Sequence, residues 1–163
     1  MTEIDPMTEP NALTESTLRI VPESTELTAV YWTAAREGRV LLQRCSDCGL
    51  VWHPPAPTCP GCRGDAVSWV ASRGQGTLHS YTRVEHAVHP AVAGAVPYLV
   101  ALVDLDEGPR FVCTLVDVDD SSVLSATTRI TIGLGSAAAG LQLPVARCSR
   151  SGADDPAGPD RPA

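Results

Sequence analysis

Residues 45–62 read CSDCGLVWHPPAPTCPGC, two Cys-x-x-Cys pairs separated by ten residues. Within each pair, two sulfurs have to converge on one point from a tight turn. Gly49 after the first pair and Pro60-Gly61 inside the second supply backbone for such a turn. Cys45, Cys48, Cys59 and Cys62 therefore form a candidate metal site whose thiolates suit tetrahedral Zn2+ at about 2.3 Å. Four protein ligands leave no position for water or substrate, so such an ion would be structural. Its binding energy would be folding energy, on the order of 10 kcal/mol.

Two other readings of the same thiolates stay open. One is a rubredoxin-like iron centre for electron transfer, which the Cys-Pro-Gly-Cys pair resembles; the other is a redox dithiol. An iron redox domain would leave the long β-rich remainder of the chain without a role, so zinc is the preferred reading. Cys113, in an alternating stretch, reads as a small buried hydrophobe, and Cys148 as a stray thiol beside the C-terminal tail. With four cysteines filling the shell, His53 reads as a surface residue or a support to a ligand.

Upstream of the cysteines, Leu27, Val30, Tyr31 and Ala34 follow helical spacing between Thr25 and Glu37. Ser24 or Thr25 is available as N-cap and Gly38 to end the helix. Val40–Gln43 reads as a strand leading into the ribbon. Downstream the period changes to two: 77–85, 98–106, 111–118 and 127–132 are rich in β-branched and aliphatic residues, and 141–146 would be a last short strand. Turns are expected at 106–109 (DEGP) and in the loop 119–122. About five strands in a chain of this size suit a small Greek-key barrel, of which the OB-fold is the commonest candidate. The expected fold is thus mainly β. A disordered acidic tail (1–23) and an amphipathic helix (24–38) precede a zinc ribbon (39–70); an OB-fold (71–148) and a second disordered tail (149–163) follow.

Composition narrows the chemistry. The chain has 163 residues and a formal charge of −7. Residues 1–26 hold six acids against Arg19, and residues 149–163 hold three against Arg150 and Arg161, so the body between them is close to neutral. A near-neutral body has little electrostatic reason to seek a phosphate backbone. All twelve basic residues are arginine. Schiff-base aldolases, phosphate-loop nucleotidases and pyridoxal enzymes need a lysine that this chain lacks. The polar, acidic first residues resemble no secretory signal, and no apolar run approaches the roughly 20 residues of a membrane span. A cytoplasmic protein with no membrane contact is expected; there thiols stay reduced and serve as ligands.

In chain order, Tyr31-Trp32, the segment 38–45 (GRVLLQRC), Pro54-Pro55, Cys59-Pro60-x-Cys62, Trp69, Gly74-x-Gly76-Thr77 and the segment 97–108 (PYLVALVDLDEG) resemble a known family. It is the acyl-CoA-associated family of zinc-ribbon OB-fold proteins called domain of unknown function 35, and the resemblance covers roughly residues 25 to 147. It implies a noncatalytic partner of thiolase-fold enzymes, of lipid-transfer-protein-like aldolases in steroid side-chain breakdown, or of hotdog-fold enoyl-CoA hydratases. Two departures stand out. An Ile-Gly-Met-Pro-Val-like turn of the family is replaced by Leu124-Ser125-Ala126-Thr127-Thr128, and an Asn common on the preceding strand is missing near Cys113-Thr114.

The leading expectation is an accessory subunit that binds and stabilises such an enzyme and helps to form its acyl-CoA tunnel. Tyr31, Trp32, Trp52, Pro54 and Pro55 are the candidate contact residues, because aromatic and proline side chains combine large area with low ordering cost. Arg73 and Arg83 are candidate contacts for acyl-CoA phosphates. His79, His86 and His89 cluster near one strand, with Arg83 and Glu85 alternating between them. A general base there is conceivable, but no nucleophile or orienting carboxylate is evident at a defined spacing, so a solvated or partner-facing strand is preferred. Two other functions remain alternatives: a single-stranded nucleic-acid-binding zinc-ribbon/OB protein, and a rubredoxin-like electron carrier. Few aromatics and no positive face argue against nucleic acid, and a colourless zinc protein would dismiss electron transfer.

Overall fold

The computed structural model describes residues 22–87, 89–118, 121, 124–136 and 142–149. The expected tails lie almost wholly outside the described residues, as does the expected loop at 119–122 apart from Ser121. The helix α1 spans Ala29–Arg36, with Thr28 directly before it in a helical conformation and without a side-chain cap bond of its own. Helical hydrogen bonding does begin earlier, since the Ala29 N–H donates to the Thr25 carbonyl at 2.8 Å. The Thr25 hydroxyl caps that first turn as expected, accepting the Thr28 N–H at 3.3 Å while the Thr28 hydroxyl accepts the Thr25 N–H at 2.9 Å. At the other end the Arg39 N–H reaches the Ala34 carbonyl, the Gly38 N–H reaches that of Ala35, and Gly38 has φ +82°. This is a Schellman stop, and it needs the left-handed residue that glycine supplies. Tyr31, Ala34 and Ala35 face the core, whereas Val30 and Leu27 stay exposed.

The ribbon is a three-stranded sheet of order β2-β1-β3, formed by β1 (Leu41–Cys45), β2 (Val51–Trp52) and β3 (Val67–Ala71). β1 pairs with β3 from Leu41↔Ala71 to Cys45↔Val67 and buries Leu41, Leu42, Gln43 and Cys45.

The barrel follows: β4 (Gln75–Val84), β5 (Tyr98–Leu105), β6 (Arg110–Leu115), β7 (Arg129–Ser136) and β8 (Gln142–Cys148), closed in the order β4-β5-β6-β8-β7. Counted within the barrel, that order is first-second-third-fifth-fourth, the Greek-key closure of an OB-fold. The parallel contact Thr114↔Val145 and Leu115↔Ala146 closes it. β5 alternates without a break, with Leu99, Ala101, Val103 and Leu105 inside. Cys148 ends β8 opposite Ile130 and packs against the core, so it is a strand residue and not a stray thiol.

One hydrophobic cluster runs through all three parts, from Tyr31, Ala34, Leu41 and Leu42 to Leu78, Phe111, Leu115 and Ile130. The ribbon therefore has a fixed seat on the barrel. The connection is tied as well: the Glu107 carboxylate accepts the Arg73 N–H at 2.6 Å and the Ser72 hydroxyl at 3.3 Å. Gly74 has φ +68°, and a Cβ there would stand 2.4 Å from the Ile132 carbonyl oxygen. At Gly76 a Cβ would meet the Asp104 carbonyl oxygen at 2.5 Å. The Gly-x-Gly motif is thus where β4 is squeezed between β5 and β7.

Candidate metal centre and docking face

The two Cys-x-x-Cys segments fold into matching knuckles. In the first, the Cys45 N–H donates to the Leu50 carbonyl at 2.9 Å and the Gly49 N–H to the Cys45 carbonyl at 3.0 Å. In the second, the Cys59 N–H donates to the Gly64 carbonyl at 2.8 Å and the Arg63 N–H to the Cys59 carbonyl at 2.9 Å. The first cysteine of each pair is buried and the second exposed. The left-handed residue of each knuckle is the one four positions after its first cysteine: Gly49 (φ +76°) and Arg63 (φ +65°). This corrects the role expected of Gly61, which has no positive φ. The turn it was to supply is made instead by Arg63, at the cost of an unfavourable conformation for a side-chain-bearing residue.

The geometry fits one tetrahedral ion. Cys45 Sγ and Cys62 Sγ lie 3.5 Å apart, Cys48 Sγ and Cys59 Sγ 3.6 Å, and all four lie within 4.8 Å of one another. A Zn–S length of about 2.3 Å requires S–S edges of about 3.8 Å, whereas a disulfide would require about 2.05 Å. Backbone amides point at the sulfurs: Leu50 at Cys48 and Gly64, in the equivalent place, at Cys62. The N–H groups of Cys62 and Gly61 hold the Cys59 thiol down, to about 7, whereas the neighbouring sulfurs push the Cys48 and Cys62 thiols up, as expected of four thiols crowded together.

The loop between the knuckles is pinned to the barrel. The buried Gln43 side chain accepts the Ala56 N–H at 2.6 Å. His53 is neither a surface residue nor a ligand's support. Its ring stacks on Phe111 of β6 at 4.4 Å and lies 5.4 Å from Tyr31 of α1, so it joins ribbon, barrel and helix. Its Nδ1 is buried with no partner among the described residues. Burial pushes its pKa down to about 4.

A pH dependence follows. Unfolded, this imidazole takes a proton near the ordinary 6.5, whereas folded it stays neutral to about 4. Its share of stability is complete above pH 6.5 and is lost as pH falls toward 4, roughly 3 kcal/mol over that window. His53→Phe, which keeps the stack, should flatten that part of the pH–stability curve in urea unfolding and leave the loss due to thiolate protonation. An unchanged slope would place the titration elsewhere.

The five candidate contact residues divide into two layers. Tyr31 and Trp52 are 4% and 7% exposed and belong to the core, Trp52 beside Cys45 and Cys59. Both rings are used to seat the helix and the ribbon loop on the core of this chain. Trp32 is half-buried, edge-on to Tyr31 at 4.9 Å; Pro55 is half-buried and Pro54 exposed. Leu27, Val30 and Leu50, which sequence reading did not select, are exposed hydrophobics of the same helix and knuckle.

The candidate arginines are not brought together. Arg73 precedes β4 and lies 3.8 Å from Glu107; Arg83 is near the far end of β4 and pairs with Glu85 at 2.7 Å. Nine residues, most of them in β4, separate the two, a span of about 30 Å at 3.3 Å per residue. His79 has the orienting carboxylate that sequence reading did not find: its Nδ1 lies 3.0 Å from Asp104 Oδ2 across the β4–β5 pair. Among the described residues, no helix is long and apolar enough to cross a membrane.

Comparison with known proteins places these features in a family. Residues 32–68 match the model of the rubredoxin-like zinc ribbon domain of ChsH2, and residues 69–134 that of the ChsH2 C-terminal OB-fold domain. A protein of Thermomonospora curvata, "Probable enoyl-CoA hydratase alpha subunit", is 38% identical over 72% of this chain and 34% of its own length. The "3-oxo-4,17-pregnadiene-20-carboxyl-CoA hydratase alpha subunit" of Mycobacterium tuberculosis is 36% identical over 63% of this chain and 32% of its own length. The chain thus spans about a third of the length of these two relatives. A "DUF35 domain-containing scaffold protein" of Methanothermobacter thermautotrophicus is 35% identical over 49% of this chain and 60% of its own. Among solved structures, a chain of the "Ltp2-ChsH2(DUF35) aldolase" superposes with TM-score 0.70 and 34% identity, covering 78% of this chain and 98% of that one. Cys45, Cys48, Cys59 and Cys62 lie close together in the part that matches the zinc ribbon domain, which supports a zinc-binding site there, and the chain belongs to the ChsH2 (DUF35) family, a zinc ribbon joined to an OB-fold.

Proposed function

We propose that this protein is a noncatalytic accessory subunit that binds and stabilises a thiolase-fold or lipid-transfer-protein-like acyl-CoA enzyme in the cytoplasm and helps to form its acyl-CoA tunnel. The observation that carries this reading is the 34% identity to nearly the full length of the DUF35 chain of the Ltp2–ChsH2 aldolase. The metal chemistry agrees with it: four thiolates close the zinc shell, so the ion holds the ribbon together and activates no water. The absence of lysine excludes a Schiff-base aldolase in this chain itself.

In this reading the docking face is the outer layer of α1 and the ribbon loop: Trp32, Pro54 and Pro55, flanked by Leu27 and Val30. Tyr31 and Trp52 shape that face from beneath. Trp32→Ala should weaken the complex by roughly 1–4 kcal/mol in calorimetry against the co-purified enzyme, with zinc content unchanged. Arg73 and Arg83 remain the residues proposed to meet acyl-CoA phosphates, one at each end of β4, and each would have to leave its carboxylate partner to do so. Affinity purification from the native cell tests the whole reading. A thiolase-fold or hydratase partner is expected; a preparation that instead carries nucleic acid at physiological salt, or a coloured iron centre, would replace it.

A further inference from the structure

We propose that the His79–Asp104 pair and the cleft beside it form a second ligand site, which shares no residue with the cysteine cluster and takes a small, largely apolar molecule by accepting a hydrogen bond from its hydroxyl group. The site arises from two irregularities of the barrel wall. β4 and β5 lose register between Leu78 and Ser80, so His79 is the extra residue of a β-bulge. Bulges re-aim a side chain and are enriched next to binding sites. On its other edge β4 pairs with β7 only at Gln75, Gly76 and Thr77, and the Leu78 N–H still reaches the Thr128 carbonyl. Beyond that bond, residues 124–126 stand off from the strand and a cleft of about 240 Å³ opens between them. Leu78, Tyr81, Leu124 and Ala126 line it together with the polar residues His79, Ser80 and Ser125. The Tyr81 hydroxyl donates to the Ser121 carbonyl at 3.1 Å, which fixes that ring as a wall.

The charge arrangement decides what His79 offers. Asp104 Oδ1 receives the Arg110 Nε–H at 2.7 Å and Oδ2 faces His79 Nδ1 at 3.0 Å. The Arg110 hydrogen bond holds the Asp104 carboxyl below its ordinary range, so at neutral pH it is an acceptor on both oxygens. His79 Nδ1 must then carry the ring proton, and in the neutral ring Nε2 is left as a lone-pair acceptor. His79 is among the residues that line the cleft, so this acceptor, in a space smaller than a drug-sized pocket, suits a ligand with one ring or short chain and one O–H donor.

The test uses p-cresol and toluene, alike in shape but for the hydroxyl, titrated into the full-length 15N-labelled zinc protein. The account expects saturable shifts at Leu124, Ala126 and the His79 ring nitrogens, with p-cresol binding about tenfold tighter than toluene. His79→Leu should abolish that preference while leaving the remaining spectrum in place. Asp104→Asn separates tautomer from shape, because its amide can donate to Nδ1 while its oxygen still accepts from Arg110. The ring proton should move to Nε2, visible in the nitrogen shifts, and the preference for p-cresol should vanish with it. Equal binding of the two probes, shifts confined to other residues, no saturable binding of p-cresol, or a preference that survives either substitution would overturn the proposal.

Discussion

Cys59→Ser is expected to abolish zinc binding and unfold the ribbon, the largest effect of any single change in the molecule. The sulfur is buried, 3.6 Å from Cys48 Sγ, and receives the amides of Cys62 and Gly61. A hydroxyl in its place is a poor zinc ligand at the end of a shorter bond, and the three remaining thiolates keep an open, incomplete shell. Structural zinc supplies on the order of 10 kcal/mol, comparable to the whole stability of a small domain. The ribbon's own strands β1, β2 and β3 cannot replace it, since β2 is two residues long and β3 is only half-buried. Because Leu41 and Leu42 belong to the common core, the barrel should be weakened too. Elemental analysis should find about one zinc per chain in the native protein and none in the variant. Cys113→Ser is the control: that thiol is buried on β6, away from the cluster, and its loss should leave zinc in place. Freshly isolated native protein without zinc, or a folded zinc-loaded Cys59→Ser, would refute this.

Phe111→Ala should cost about 3–5 kcal/mol, more than any substitution outside the metal site. Phe111 is the largest of the fully buried side chains, central in the common core, and its ring carries His53. Truncation leaves a cavity in the barrel and removes the surface on which the ribbon loop rests. Two measurements separate these consequences: urea unfolding reads the stability loss, and NMR titration reads His53. Its pKa should rise from about 4 toward the ordinary 6.5 as water reaches the ring. A loss below about 1 kcal/mol, the level of a volume-conserving swap, would contradict the packing described.

How much of this was legible in the sequence differs from element to element, for physical reasons. The clustering of the four cysteines was legible because the constraint is local: two knuckles need two short spacings. The barrel strands were legible where one face is buried and the other wet, as in β5, whose alternation is unbroken. β2 and β3 were not, because a two-residue strand has no period and β3 has no fully buried face. Aromatic content picked out Tyr31 and Trp52 as large contact side chains, but nothing in composition says whether a large ring faces a partner or its own core. His79 and Asp104 lie 25 residues apart. Their meeting depends on a bulge, and register across a bulge is set by the assembled barrel and not by local pattern. Arg63 in the left-handed region is the reverse case: the metal knuckle imposes on arginine a conformation that its own preference opposes.

The most direct measurement of the central claim is an assay of CoA-thioester retro-aldol cleavage, thiolysis and hydration with three samples: the purified zinc-loaded chain, the enzyme that co-purifies with it, and the two recombined. The account predicts no turnover by the chain alone, and a recombined complex whose soluble yield or turnover exceeds that of the enzyme by itself. Turnover by the chain alone, or a co-purifying enzyme whose solubility and rate are indifferent to it, would contradict the account.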